Sequence, residues 1–378
     1  MNIVYFLTFG YSLKTWDESS ALGREVQYFN FLSKKYGYKF FIVTYGDSED
    51  LDYKELFDKA EIIPIYSYVK ESKFKMINLL SSILFPLKLN KLINEQIDIT
   101  KQNQLLGSWS SYFFKKISKS KYFIRTGYDM YLFSIENNKN ILKKYFYKKL
   151  TKFSIRFADV YSVSSKSDYE FLKKVFKKNS SNIFLLPNWV NSYEYKDFEK
   201  RKDLLISIGR LEYQKNYEYL IYELAKTNFK IKIYGQGSQK TKLLNLASKL
   251  GTNLEIIDKV NNKSLLEMLS DTKYFVLPSY FEGNPKALLE AMGAGCVVFA
   301  SKIPNHVEII KHYEDGVLFD IEKNSLRKHF HDIVLDLQLT SEEIKNISYN
   351  AFSKIQSNFS IEKIANNENE LIKRLKNE

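Results

Sequence analysis

The chain has little cysteine, little histidine and no long apolar run, and each shortage excludes something. One cysteine, Cys296, in 378 residues rules out a disulfide framework and suits a reducing compartment. No stretch reaches the roughly 20 apolar residues that a membrane-spanning helix needs. The most apolar one, Met76 to Leu87, is interrupted by Asn78, Ser81, Ser82 and Pro86. The opening MNIVYFLTF has neither a basic leader nor a small-residue cleavage site, so it reads as a strand rather than a signal peptide. His306, His312, His329 and His331 all fall in the second half. No D-x-D stands at a strand end, so no metal is implied.

What is present is size, aromatics and positive charge. A chain of 378 residues is long for one core, and 44% hydrophobic with 16% aromatic content is enough to bury two. A formal charge of +13 implies an anionic partner or surface: nucleic acid, anionic lipid or a phosphorylated substrate. Part of that excess accompanies the Lys, Asn, Ile, Tyr and Phe that an A/T-biased genome favours. No nucleic-acid motif is legible, so nucleic acid is not expected as a partner.

The most informative stretch is Lys273 to Ser301, KYFVLPSYFEGNPKALLEAMGAGCVVFAS. Tyr274 to Leu277 has the pattern of a buried strand, stopped by Pro278 and Ser279. Asn284 is placed as an N-cap with Pro285 at the first helical position, where its missing N–H costs nothing. The helix runs through ALLEAMGA, and Cys296 to Phe299 begins the next strand. Two acids mark the joint, Glu282 in the loop and Glu290 in the helix, the latter roughly 7–8 Å deeper than the cap. At the carboxyl end of a parallel strand, such acids can hold two ends of one ligand. They can also be solvated residues of an amphipathic helix.

Upstream, Leu204 to Ile208 is strand-like, with Gly209, Arg210 and Leu211 turning off its end and Lys215 five residues beyond Arg210. An arginine fork and a compact ammonium beside a strand end suit a diphosphate. Ile231 to Tyr234 and the loop Gly235-Gln236-Gly237 precede a helix from Gln239 to Leu250. Lys240 stands where a dinucleotide fingerprint needs its third glycine, which argues against NAD or FAD.

Glu282 to Glu290 resembles the E-x7-E signature of retaining glycosyltransferases of the GT-B fold, in particular family 4 (group 1). The likeness extends from Leu204 to Asp320, and GRLEYQKN is similar to the family's G-R-L...K pattern. The fold implied is α/β: two Rossmann-like doubly wound domains facing a cleft, with the C-terminal helix crossing back to the first. Boundaries follow as 1–190 on the acceptor side, a linker at 191–202, a nucleotide-sugar domain at 203–360, and a returning helix at 361–378.

The resemblance implies transfer of a sugar from a UDP- or GDP-sugar to a glycan or lipid-linked hydroxyl, with no cofactor and no metal. Glu282, Arg210 and Lys215 would be catalytic. Donor contacts would come from Gly209, Gly235, Lys259, Val260, Gly283, Asn284, Pro285, Lys286, Ala287 and Glu290, with Glu290 on the ribose. Relatives place a first-domain histidine against the donor sugar, and this chain has none there. Arg125 or Asp129, at the end of the strand-like KYFIR, is the expected substitute.

The first half opens as strand (Ile3 to Phe9), polar loop (Gly10 to Ser20), helix (Ala21 to Lys35) and strand (Lys39 to Tyr45). Tyr11, Lys14, Trp16 and Asp17 are thereby placed on an acceptor-facing loop, or on an ordinary connection. Basic aromatic stretches recur at Ser67 to Leu92, Tyr112 to Tyr122 and Ile141 to Phe157. Such a helix can lie on an anionic membrane, or it can be a core helix with a solvated charged face. The expected location is cytoplasmic, with peripheral contact to the inner membrane and a role in surface-glycan assembly. The alternatives are a non-catalytic membrane- or nucleic-acid-binding protein on this scaffold, and a GT-B phosphorylase or epimerase.

Overall fold

The computed structural model describes residues 1–19, 21–191, 193–227, 229–258, 260, 262–335 and 339–377. The chain divides into two compact units, Met1–Pro187 with Ala365–Glu378, and Asn188–Ile364.

In the first unit the elements are β1 (Asn2–Phe6), α1 (Leu13–Glu18), α2 (Leu22–Tyr36), β2 (Lys39–Thr44), β3 (Ala60–Pro64), α3 (Lys75–Leu92), β4 (Ile99–Asn103), α4 (Ser108–Ser118), β5 (Lys121–Thr126), α5 (Met130–Glu136), α6 (Ile141–Phe157), β6 (Val160–Val163), α7 (Lys166–Val175) and β7 (Ile183–Leu185). The strands form one parallel sheet in the order β3-β2-β1-β4-β5-β6-β7. Successive side chains leave a strand on opposite faces. Val4, Phe6 and Val43 pack under Phe85 and Leu89 of α3 and Phe114 of α4. Tyr122, Ile124 and Val163 continue that face under Ile155 of α6 and Leu172 of α7. On the other face, Phe29 of α2 meets Tyr5 and Phe40 edge to face at 4.9 and 4.8 Å.

The second unit contains β8 (Lys202–Ile208), α8 (Tyr217–Glu223), β9 (Ile231–Tyr234), α9 (Lys240–Leu250), β10 (Leu254–Ile257), α10 (Asn262–Ser270), β11 (Thr272–Leu277), α11 (Lys286–Gly293), β12 (Val297–Ser301), α12 (Pro304–Val307), β13 (Val317–Phe319), α13 (Ser325–Phe330) and α14 (Ser341–Asn358). Its parallel sheet has the order β10-β9-β8-β11-β12-β13, so the winding reverses between β8 and β11. One apolar cluster covers each face.

Two expectations need correction. The segment expected as a linker at 191–202 is packed onto the second unit from Tyr193 onward. Phe198 joins a core cluster, and the Tyr195 hydroxyl is 3.0 Å from that of Ser348. The buried Arg201 guanidinium donates to the carbonyls of Ala294 at 2.9 Å and Lys196 at 2.7 Å. Ala294 closes α11, so a planar cation satisfies carbonyls that a helix end leaves free. The polar loop expected from Gly10 to Ser20 contains α1. Ser12 caps it with a reciprocal bond from Thr15, and Leu13 and Trp16 are its buried positions.

The last helix, α15 (Ile361–Asn377), belongs to the first unit from Ala365 on. Its Glu368 carboxylate is 1% exposed and meets Lys101 of β4, itself 3% exposed. Arg125 lies 3.3 Å away and the Tyr28 hydroxyl donates at 3.2 Å. Burial alone would raise the Glu368 pKa, but Lys101 and Arg125 outweigh it and hold the carboxyl below its usual range. Breaking such a pair leaves an uncompensated buried cation. Glu368→Ala is expected to remove about 3–5 kcal/mol from the first unit in urea unfolding. A loss below about 1 kcal/mol would show that the node contributes little.

Candidate functional site

At the winding reversal of the second sheet, the loops leaving β8 and β11 are joined to one another. The amide of Tyr280 donates to the Gln214 carbonyl at 2.9 Å, and the Gln214 side chain donates to the Phe281 carbonyl at 2.8 Å. The Tyr213 and Tyr280 rings stack at 4.9 Å. These contacts bring the Lys215 ammonium within 2.6 Å of the Glu282 carboxylate, although the residues are 67 apart in sequence. The Ser279 hydroxyl donates to the same oxygen at 2.6 Å. Lys215 is 13% exposed and Glu282 8%.

The electrostatics favour the ion. Burial works to raise the Glu282 pKa, and the adjacent Lys215 charge with the bonds from Lys215 and Ser279 overcomes it, so the carboxyl titrates below its ordinary value. Within electrostatic reach of this pair is His306, wholly buried, with Nδ1 2.7 Å from the Ser301 carbonyl. That contact makes Nδ1 the protonated nitrogen of the neutral ring, and Nε2 has no hydrogen-bond partner among the described residues. Burial pushes its pKa down to about 4, against the pull of Glu282. Sequence reasoning gave His306 no role. It reaches Glu282 because β12 lies beside β11, pairing Leu277 with Ala300, and no local pattern signals that adjacency.

Glycine makes the approach possible. A Cβ on Gly235 would lie 1.9 Å from the Gly209 carbonyl oxygen, and one on Gly237 would lie 2.4 Å from that of Leu211. A Cβ on Gly209 would lie 2.9 Å from Cε of Lys215, so the lysine stem crosses where a side chain would stand. The absent side chains of Gly209 and Gly235 thus make room for protein, which is why the loops after β8 and β9 nest. Arg210 follows β8 and is exposed; it makes no ion pair among the described residues, though its charge helps hold down the pKa of Glu212.

The start of α11 differs from the expected cap. Pro285 occupies the N-cap position, and the Asn284 side chain accepts from the Asn188 amide at 3.0 Å rather than from its own helix. The Asn188 side chain donates a second bond, to the Asn284 carbonyl, at 2.9 Å. Mutual bonding to a distant backbone outcompeted the local cap because both asparagines are buried. Gly283 is half-buried, Lys286 and Ala287 form the first turn, and Glu290 is buried within the helix. Glu290 helps raise the pKa of Tyr193, whose pKa burial already raises. Val260 is half-buried against a core cluster, and Lys259 lies outside the described residues.

The residues placed on the acceptor side do not converge. Tyr11 is exposed, whereas Trp16 is buried in packing, and Lys14 pairs with Glu49 at 2.6 Å. Asp17 accepts from the Tyr53 hydroxyl at 3.4 Å. Arg125 is committed to Glu368 and to the Pro187 carbonyl, on the α15 face. Asp129 turns toward the helices of the opposite face, capping α5 through Leu132 at 2.8 Å while its amide donates to Asp168 at 2.7 Å. Burial, with Asp168 adding to it, pushes the Asp129 pKa up to about 7.

The glycosyl transferases group 1 family model matches residues 193–354, the stretch that holds this pair. The chain is similar to a capsular polysaccharide biosynthesis glycosyltransferase, CapH, of Staphylococcus aureus, 31% identical over 203 residues, covering 46% of this chain and 55% of that protein. It is also similar to a Campylobacter jejuni 4-alpha-N-acetylgalactosaminyltransferase named for a diphospho-undecaprenol-linked sugar, 24% identical over 44% of this chain and 48% of that one. The chain thus spans about half the length of the curated relatives it matches. Sucrose-phosphate synthase from Thermosynechococcus elongatus shares the fold at TM-score 0.80 and 14% identity over 99% of both chains. Anabaena HepE in complex with UDP does so at 0.73 and 12%, over 99% and 100%. The fold, two parallel sheets of seven and six strands with their helices, is that of GT-B proteins.

His306 yields a pH test. Its folded pKa lies below the ordinary 6.5, so the unfolded chain binds the extra proton, and stability falls as pH drops from about 6.5 toward 4. Between pH 7 and 5 this amounts to roughly 2 kcal/mol. His306→Gln is expected to flatten the pH dependence of the urea midpoint by that amount. An unchanged slope would place the titration elsewhere.

Proposed function

We propose that the chain moves a sugar from a nucleoside-diphosphate sugar to a hydroxyl of a glycan or lipid-linked acceptor, with the anomeric configuration kept. The setting would be surface polysaccharide or glycoconjugate assembly, the work named in its capsular and undecaprenol-linked relatives. The observation that carries the reading is the Lys215–Glu282 pair at the winding reversal of a doubly wound sheet, where such folds bind their ligands.

The chemistry follows from charge. As the bond from the anomeric carbon to the diphosphate oxygen breaks, negative charge grows on the phosphate. Lys215 and the exposed Arg210 stabilise that charge more in the transition state than in the ground state. The backbone amides opening α11 add to this. Glu282, kept ionised, accepts bonds from hydroxyls of the transferred sugar, while Glu290 serves the ribose. The acceptor oxygen bonds to the anomeric carbon on the face the phosphate leaves, and its proton passes to a diphosphate oxygen. No protein nucleophile and no metal enter this scheme. A UDP- or GDP-sugar is the proposed donor.

A panel of nucleotide sugars read by thermal shift identifies the donor, because a ligand that binds only the native state raises its melting temperature. With that donor, Lys215→Ala is expected to lower kcat/KM by about 10²–10³-fold. Turnover within about twofold of the parent would remove Lys215 from the mechanism. Glu282→Gln should fall comparably, since a neutral amide accepts more weakly than the carboxylate from the hydroxyls of the transferred sugar.

A further inference from the structure

Two helices of the first unit turn apolar side chains outward. Along α3, Met76, Leu80, Leu84 and Leu87 recur at steps of four, four and three, which places them on one side of the helix. All four are exposed, Met76 at 68%, and Phe74 just before the helix is 72% exposed. The side turned to the sheet carries Ser82, Phe85, Pro86 and Leu89. The exposed side of α3 is thus apolar as well as the buried one, with Lys75, Lys88 and Lys91 also exposed on the helix. The stripe extends over roughly 16 Å. At the start of α6, Ile141 and Leu142 are 80% and 77% exposed, with Tyr145 and Phe146 beside them.

Both apolar tips sit among cations. Lys70, Lys73, Lys75, Lys88 and Lys91 surround the first, with Glu71 the one acid between 67 and 92. The second helix carries Lys143, Lys144, Lys148, Lys149, Lys152 and Arg156 and no acid. The helices belong to the same layer: Trp109 and Ser110 of α4 bond to Ser82 of α3, while Ser154 of α6 bonds to Ser108 of α4. In a parallel sheet each connecting helix runs back against its strands, so α3 and α6 both begin at the carboxyl edge.

We propose that these tips are a docking surface for an anionic lipid bilayer, with the apolar side chains entering the acyl boundary and the lysines on the headgroups. Apolar residues with Glu71 as the one acid in their two stretches, framed by lysines with long apolar stems, match an interface that is anionic outside and hydrocarbon beneath. A second copy of this chain would bring a like-charged surface to the same place. Docking in this way would set the carboxyl edge of the first sheet toward the membrane, where a lipid-linked hydroxyl emerges. That use of the surface rests on the transfer reaction proposed above; the docking itself does not.

Flotation with vesicles of phosphatidylcholine alone, or with about 30% phosphatidylglycerol, tests the surface. The parent is expected to float with the anionic vesicles at low salt and to lose roughly tenfold in partitioning at about 0.5 M NaCl. Ile141→Glu with Leu142→Glu, and separately Met76→Glu with Leu80→Glu, are each expected to weaken flotation at least about tenfold. Their melting temperature and donor thermal shift should stay those of the parent. No flotation of the parent at low salt overturns the proposal. So does flotation that survives both double substitutions, or apolar-tip variants that change only the oligomeric state. A parent that floats but shows no donor shift would leave the docking standing and remove the transfer reaction.

Discussion

A 2.6 Å contact joins the ammonium of Lys215 to the carboxylate of Glu282, and water reaches neither group freely. Holding two such charges together requires that the loops after β8 and β11 meet, and glycine at 209, 235 and 237 lets the β8 loop that carries Lys215 pack closely against the loop after β9. Ser279 and Gln214 complete the carboxylate's surroundings, at 2.6 and 3.4 Å. The pair is therefore assembled before any ligand arrives, and a phosphate that draws on Lys215 shares a cation already in place. Preorganised charge of this kind costs no rearrangement at the moment of reaction.

The first unit solves a different problem with the same physics. Its central strand β4 is polar, and Thr100, Lys101 and Gln102 are all buried. Each finds a partner: the Ser120 hydroxyl at 2.7 Å from Thr100, Glu368 for Lys101, and the carbonyls of Asn103 and Leu106 for Gln102. The helix that supplies Glu368 comes from the end of the chain, so its docking is specified by charge as well as by apolar packing. Tyr38 adds a bond to Asn369 at 2.6 Å on the same helix.

The acceptor-side residues show where local reading falls short. Trp16 looks available in a polar loop, yet a one-turn capping box folds that loop into a helix and buries the ring. Arg125 and Asp129 are close in sequence and at a strand end, but they turn to opposite faces, one to anchor α15 and the other to cap α5. In the second unit the same style of reading placed Lys215 and Glu282 each at a strand end, from short-range strand, turn and helix signals, whereas their pairing across 67 residues comes from the adjacency of β8 and β11. Asn284 is the exception, since its partner Asn188 lies 96 residues away.

Alternating strand and helix patterns, the single cysteine, the charge excess and the signature from Gly209 to Glu290 were all determined by the sequence alone. They depend on neighbours a few residues apart, where propensity, capping and turn chemistry act. Strand β4 was invisible because its polar residues become buried only when Glu368, 267 residues beyond Lys101, arrives to neutralise one of them. Which face of α3 meets the solvent, and that His306 feels the charge of Glu282, were likewise decided by tertiary structure. Burial and charge pairing are properties of the packed chain, and no local window of sequence contains both partners.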